Sequence, residues 1–205
     1  SRAPRVVGLG GGGGWTEEKG RSACALAKDA GSEPKAVYQT LQNLSPVRGR
    51  MQLAACRNNG ASVFVDYAHT PDAITTALKA LRPHVMGRLI AIIGAGGDRD
   101  AKKRLLMGRA AAAHGDVVIV TDDNPRSEDA AAIRAMVMQG CPKATEVADR
   151  AEAILRGVDA LQPGDALLIA GKGHESGQII GDDVFPFDDV EQASVAVAAL
   201  DGRVL

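Results

Sequence analysis

A chain of 205 residues suits one domain of ordinary size, or one domain with part of a second. Its 24 basic and 25 acidic residues leave a net charge of −1 and no polybasic run, so nothing supports binding to nucleic acid or to a membrane surface. Hydrophobic residues reach 45% but aromatics only 3%, so the core must come from Ala, Val, Leu and Ile, as in helices packed on a parallel sheet.

The three cysteines, Cys24, Cys56 and Cys141, are odd in number and far apart, with no CxxC or Cys/His spacing. Disulfides and a structural zinc are therefore not expected. No apolar run is long enough to span a bilayer and no secretory signal opens the chain, so a soluble cytoplasmic α/β protein is expected.

Taken in order, residues 1–20 contain the run Gly10–Gly14, which reads as a tail or linker. Residues 21–44 show helical spacing (Ala23, Leu26, Ala27, then Val37, Leu41, Leu44) broken at Gly31 and Pro34, and Pro46 to Arg50 reads as a hinge. From Ser62 the pattern becomes regular. Ser62–Tyr67 reads as a strand, and Thr70 caps a helix with Pro71 at its first position and Leu78 and Leu81 on its inner face. Leu89–Ile93 is the next strand, followed by a glycine-rich loop and a helix over 102–113. Val117–Thr121 is a strand, and Ser127 caps a helix through Ile133 and Met136. A short strand at 145–147, a helix over 151–161 and a buried strand at Ala166–Ala170 follow. Residues 178–180 form a hairpin or edge strand, and 190–200 a closing helix. Such alternation predicts right-handed βαβ units and a Rossmann-like, mainly parallel sheet flanked by helices.

In open α/β sheets ligands sit beyond the carboxyl ends of the strands. Four polar or glycine-rich segments fall there: 66–72, 94–104, 121–126 and 171–175. In the run Asp123-Asn124-Pro125-Arg126, a proline stiffens a bend that carries an acid, an amide and a guanidinium, a set suited to a small zwitterion. Gly94, Gly96 and Gly97 can turn backbone N–H groups toward an anion, and Arg99 can pair with a carboxylate in two parallel bonds. Glu175 suits a ligand's ammonium group. Lys172 reads as a solvated loop charge and His174 as a backbone partner. Asp66 at a strand end can hold two ribose hydroxyls; His69 suits a phosphate or a cap, and Arg50 offers one more cation.

The segments GRM (49–51), DYAHTPD (66–72), GGDRD (96–100), DNPR (123–126), DRAEAI (149–154) and AGKGHE (170–175) resemble, in order and spacing, the C-terminal domain of Mur ligases of the diaminopimelate-adding branch. The resemblance covers roughly residues 35–200. It implies that residues 49–205 form an amino-acid-binding domain and 21–48 a remnant of the central ATPase domain. It also implies that Arg126 binds the distal carboxylate of meso-diaminopimelate, with Asp123, Asn124 and Pro125 at its amino-acid head. Arg99 would hold a carboxylate, Gly171 and Glu175 would complete the pocket, and Arg50, Asp66 and His69 would contact ATP. The family joins its amino acid to a UDP-N-acetylmuramoyl dipeptide through an acyl phosphate, with magnesium assisting. No catalytic side chain or metal ligand is assigned to this domain. No GxxxxGK[ST] occurs, so the ATP-binding loop is missing and inactivity in isolation is expected; Leu105 and Ala95 also depart from the family pattern. The rival readings are a lysine-adding ligase, a folylpolyglutamate synthase-like ligase domain and a stand-alone amino-acid-binding module. The reading as a nicotinamide-dependent oxidoreductase fails because the chain lacks the glycine fingerprint such an enzyme needs.

Overall fold

A computed structural model describes residues 29–31 and 47–202. The run Gly10–Gly14, and the helix expected over 21–44 apart from 29–31, lie outside the described residues. Residues 47–50 form a turn closed by the Arg50 amide on the Val47 carbonyl at 3.1 Å.

Strand β1 (Gln52–Cys56) runs antiparallel to β2 (Ser62–Asp66). Helix α1 (Pro71–Leu81) then leads to β3 (Leu89–Ile93), α2 (Lys102–His114) to β4 (Val117–Val120), and α3 (Ala130–Met138) to β5 (Thr145–Glu146). Helix α4 (Arg150–Asp159) returns the chain to β6 (Ala166–Ala170), which inserts between β2 and β3. The sheet order is β1-β2-β6-β3-β4-β5, parallel from β2 onward. A separate hairpin, β7 (Gly177–Ile180) and β8 (Asp183–Pro186), precedes the closing helix α5 (Asp189–Asp201).

Residues of the central strands alternate between two apolar layers, as the two-residue period of a strand requires. Leu89, Ala91, Ile93 and Leu168 pack with α1, α2 and α3 on one face. Ile90, Ile92, Leu167 and Ile169 pack with α4 and α5 on the other. Gly108 and Gly140 let α2 lie against the end of α3: a Cβ on Gly108 would stand 2.2 Å from the Val137 carbonyl oxygen, and one on Gly140 2.1 Å from that of Leu105.

Helix starts follow their caps. The Thr70 hydroxyl accepts the Ala73 amide at 3.3 Å with Pro71 in the first turn, and Asp149 accepts the Glu152 amide at 2.7 Å. One cap departs from expectation. Asp129, not Ser127, caps α3, accepting the amides of Ala131 and Ala132 at 3.3 and 3.1 Å. The Ser127 hydroxyl is engaged instead with Asp98 at 2.5 Å. Strands β1 and β8 are likewise not expected from the sequence, and the segment at 177–180 takes the hairpin alternative.

Candidate functional site

The carboxyl ends of β2, β3, β4 and β6 open into one cleft of about 260 Å³. Its walls include His69, Gly94, Arg99, Asp123, Asn124, Arg126, Gly171 and Glu175, together with Tyr67, Lys103 and Arg104. All four strand exits singled out in the sequence therefore contribute to a single concavity.

The β3 and β4 exit loops are laced together. The Gly97 amide donates to the Asn124 carbonyl at 2.8 Å, and Arg126 Nη1 returns bonds to the carbonyls of Gly97 at 2.9 Å and Asn124 at 3.3 Å. Only glycine fits at position 97, since a Cβ there would stand 1.8 Å from the Pro125 carbonyl oxygen. Arg126 itself holds φ 53, a left-handed backbone rare for a long side chain. That conformation lets its amide and carbonyl pair with Ile179 and Gly181, clipping the hairpin to the cleft. Its Nε and Nη2 have no acceptor among the described residues and so can still meet a carboxylate.

Arg104 braces the same loops from below. Buried to 2% exposure, it grips Glu128 through both terminal nitrogens at 2.8 and 2.7 Å and donates to the Gly96 carbonyl at 3.2 Å. Glu128 also accepts the Asp98 amide at 2.6 Å. The Arg104 bonds, followed by that amide, hold the Glu128 carboxyl down at about 2. Arg99 is exposed at the cleft and takes no hydrogen-bond partner among the described residues.

On the far wall the side chain of Lys172 is fully buried. Its Nζ donates to Asn124 Oδ1 at 2.7 Å and to the Gly177 carbonyl at 2.8 Å, and lies 3.5 Å from Asp123 Oδ1. Asn124 Oδ1 also accepts the Ile179 amide at 3.0 Å, while its Nδ2 donates to Glu175 Oε2 at 2.9 Å. Burial pulls the Lys172 pKa below the usual lysine range, and Asp123 partly opposes that. Behind this layer Arg150 and Asp189 form a bidentate pair with both side chains fully buried, and Arg150 also ties the Ala170 and Asp122 carbonyls at the ends of β6 and β4.

The fourth corner is aromatic. Tyr67 has the Arg50 guanidinium 4.6 Å above its ring, with the rings of His69 and His174 at 4.5 and 5.0 Å. His69 Nδ1 lies 2.8 Å from the Tyr67 carbonyl, which can only accept, so Nδ1 carries the proton. His69 is therefore not a helix cap; Thr70 fills that place. Asp66 accepts the Met51 amide at 2.6 Å, and burial raises its pKa.

Of the residues proposed from sequence, Arg99, Asp123, Asn124, Arg126, Gly171, Glu175 and His69 line the cleft. Pro125 is buried beside it, and Arg50 and Asp66 stand next to its Tyr67 corner. Sequence reasoning misses three residues. Lys172 is a buried hub, not a solvated charge; Arg104 locks two loops; Tyr67 gathers three side chains. His174 contacts the Tyr67 ring, where a backbone partner is expected from sequence. Among the described residues no cluster of three or more His, Cys, Asp or Glu side chains could hold a metal, and no helix is long and apolar enough to cross a membrane.

Comparison with known proteins adds four findings. The family described as "Mur ligase, glutamate ligase domain" matches residues 49–173. The UDP-N-acetylmuramoyl-L-alanyl-D-glutamate–2,6-diaminopimelate ligase of Bradyrhizobium diazoefficiens is 51% identical over 177 residues, 86% of this chain and 36% of that protein. The ligase of the same name from Zymomonas mobilis is 51% identical over 189 residues, 90% of this chain and 39% of that protein. A solved structure of a ligase of that name superposes with a TM-score of 0.72 at 40% identity, covering 92% of this chain and 39% of that one. The chain thus spans little more than a third of the relatives it matches.

Proposed function

The chain belongs to the Mur ligase family, and from that membership we propose that residues 49–205 are the amino-acid-binding domain of an ATP-dependent ligase adding meso-diaminopimelate to UDP-N-acetylmuramoyl-L-alanyl-D-glutamate in peptidoglycan synthesis. The observation that carries this reading is the cleft itself. Arg99 and Arg126, with unspent donors, share it with the carboxylate of Glu175, so a guest bearing carboxylates and ammonium groups meets opposite charges at separate points. Arg126 takes the distal carboxylate and Arg99 a second carboxylate. Glu175 takes the ammonium of the amino-acid head, with Asp123, Asn124, Pro125 and Gly171 shaping that end.

The chemistry asks little more of this domain. ATP converts the D-glutamate side carboxylate to an acyl phosphate; the free amine of the guest attacks its carbonyl carbon, phosphate leaves and ADP is released. Holding the amine in line while neutralising the guest's charges supplies the positioning such a step needs. Arg50, Asp66 and His69 form the nucleotide-facing edge: a guanidinium on an aromatic ring and a strand-end carboxylate fit a base and a ribose. Magnesium and the triphosphate belong to the remaining two-thirds of the ligase.

Lysine lacks the distal carboxylate and would leave Arg126 unpaired, a loss of about 2–5 kcal/mol. Calorimetry on the chain tests the reading. Meso-diaminopimelate is expected to bind, and L-lysine to bind roughly 30-fold more weakly or worse. Equal affinity for the two removes it.

A further inference from the structure

We infer that Lys172 is a positioning residue for the amino-acid site, acting through the Asn124 amide to set the Glu175 carboxylate. The inference rests on the amino-acid-binding reading above and adds to it a residue that lies behind the cleft wall. Lys172 touches no open part of the cleft; its side chain is fully enclosed.

The direction of each bond is fixed by chemistry. An ammonium has three donors and no acceptor, so it must face Asn124 Oδ1 at 2.7 Å. The Ile179 amide, also a pure donor, meets the same oxygen at 3.0 Å. Two donors on one oxygen rule out the flipped amide, and Nδ2 must then point at Glu175 Oε2, 2.9 Å away. Glu175 sits on a loop with glycines at 171, 173 and 177 and a half-exposed side chain, so little else sets its rotamer. The third direction of the ammonium faces Asp123 Oδ1 at 3.5 Å, and the second ties the Gly177 carbonyl at the start of β7. One buried charge therefore fixes both polar residues that open the DNPR bend and the root of the hairpin that clips to Arg126.

A residue that only held the fold together would not favour Glu175 over other parts of the site. Coupling between the two is therefore the decisive measurement. Four chains are compared by calorimetry with meso-diaminopimelate: wild type, Lys172→Met, Glu175→Gln and the double variant, each with its thermal transition recorded. Lys172→Met is expected to weaken binding at least tenfold in the wild-type background and less than twofold in the Glu175→Gln background. Equal losses in both backgrounds, or no loss in either, overturn the inference while leaving the amino-acid reading intact. Failure of the wild-type chain to bind meso-diaminopimelate overturns that reading, and the inference with it. Should Lys172→Met not fold, Lys172→Gln, which keeps a neutral donor and removes the charge, takes its place in the cycle, and the same pattern of losses decides the matter.

Discussion

Glu128 shows how single residues hold the cleft's shape. Its carboxylate takes two bonds from Arg104 and one from the Asp98 amide, so the charged form is favoured in the folded chain and its pKa falls from 4.5 to about 2. A carboxyl with a depressed folded-state pKa contributes stability that is complete above its unfolded value and fades as pH drops toward the folded one. The stability gap between wild type and Glu128→Gln is thus expected to be constant above about pH 5 and to close between 4.5 and 2. Denaturant titrations at stepped pH measure it; a gap that stays constant down to pH 2 would refute the clamp. Cys141 contributes nothing comparable. It is buried, and burial pushes its thiol up to about 11, so it fills space in the core and is no nucleophile.

Among the elements, close backbone approach matters most where α2 meets the end of α3. A methyl group at Gly108 would run into the backbone oxygen of Val137, which cannot swing aside as a side chain can. Gly108→Ala is expected to lower stability by about 1–3 kcal/mol, read as a shift in denaturant midpoint at unchanged slope, despite alanine's better helix propensity. An unchanged or raised midpoint would show that the helices can part cheaply. This junction lies beyond sequence reading, since Gly108 looks like an ordinary weak spot in a helix. The parallel strands, in contrast, are legible: Leu89–Ile93 and Ala166–Ala170 are short apolar runs buried on both faces, and the structure keeps those bounds. Strand β1 is not legible, because Gln52–Cys56 is a half-exposed edge with a bulge and weak strand formers. Strand β8 is exposed throughout and carries a proline, so it gives no pattern. For the α3 cap, Ser127 is the right residue type, but its hydroxyl is taken by Asp98, about thirty positions upstream, and Asp129 caps the helix instead.

At the scale of the whole molecule, motif order places the cleft, while the supports beneath it stay hidden. Lys172 lies between two glycines and reads locally as loop; its burial depends on Asp123 and the hairpin, which come from other parts of the chain. The same scale limits activity. The sequence contains no phosphate-binding GxxxxGK[ST] loop, and the chain covers about a third of its relatives. Incubated with ATP, magnesium, the UDP-linked dipeptide and meso-diaminopimelate, it is expected to release no ADP and yield no tripeptide; product at an ordinary rate would mean that phosphoryl transfer needs no such loop.

The insertion of β6 between β2 and β3 has a temporal consequence. During synthesis on the ribosome, the nascent chain can pair β3 with β4 early, but the slot beside β2 stays open until residues 166–170 emerge. The cleft is therefore complete only after nearly the whole domain has been translated, because Gly171 and Glu175, which line it, arrive directly behind that last central strand.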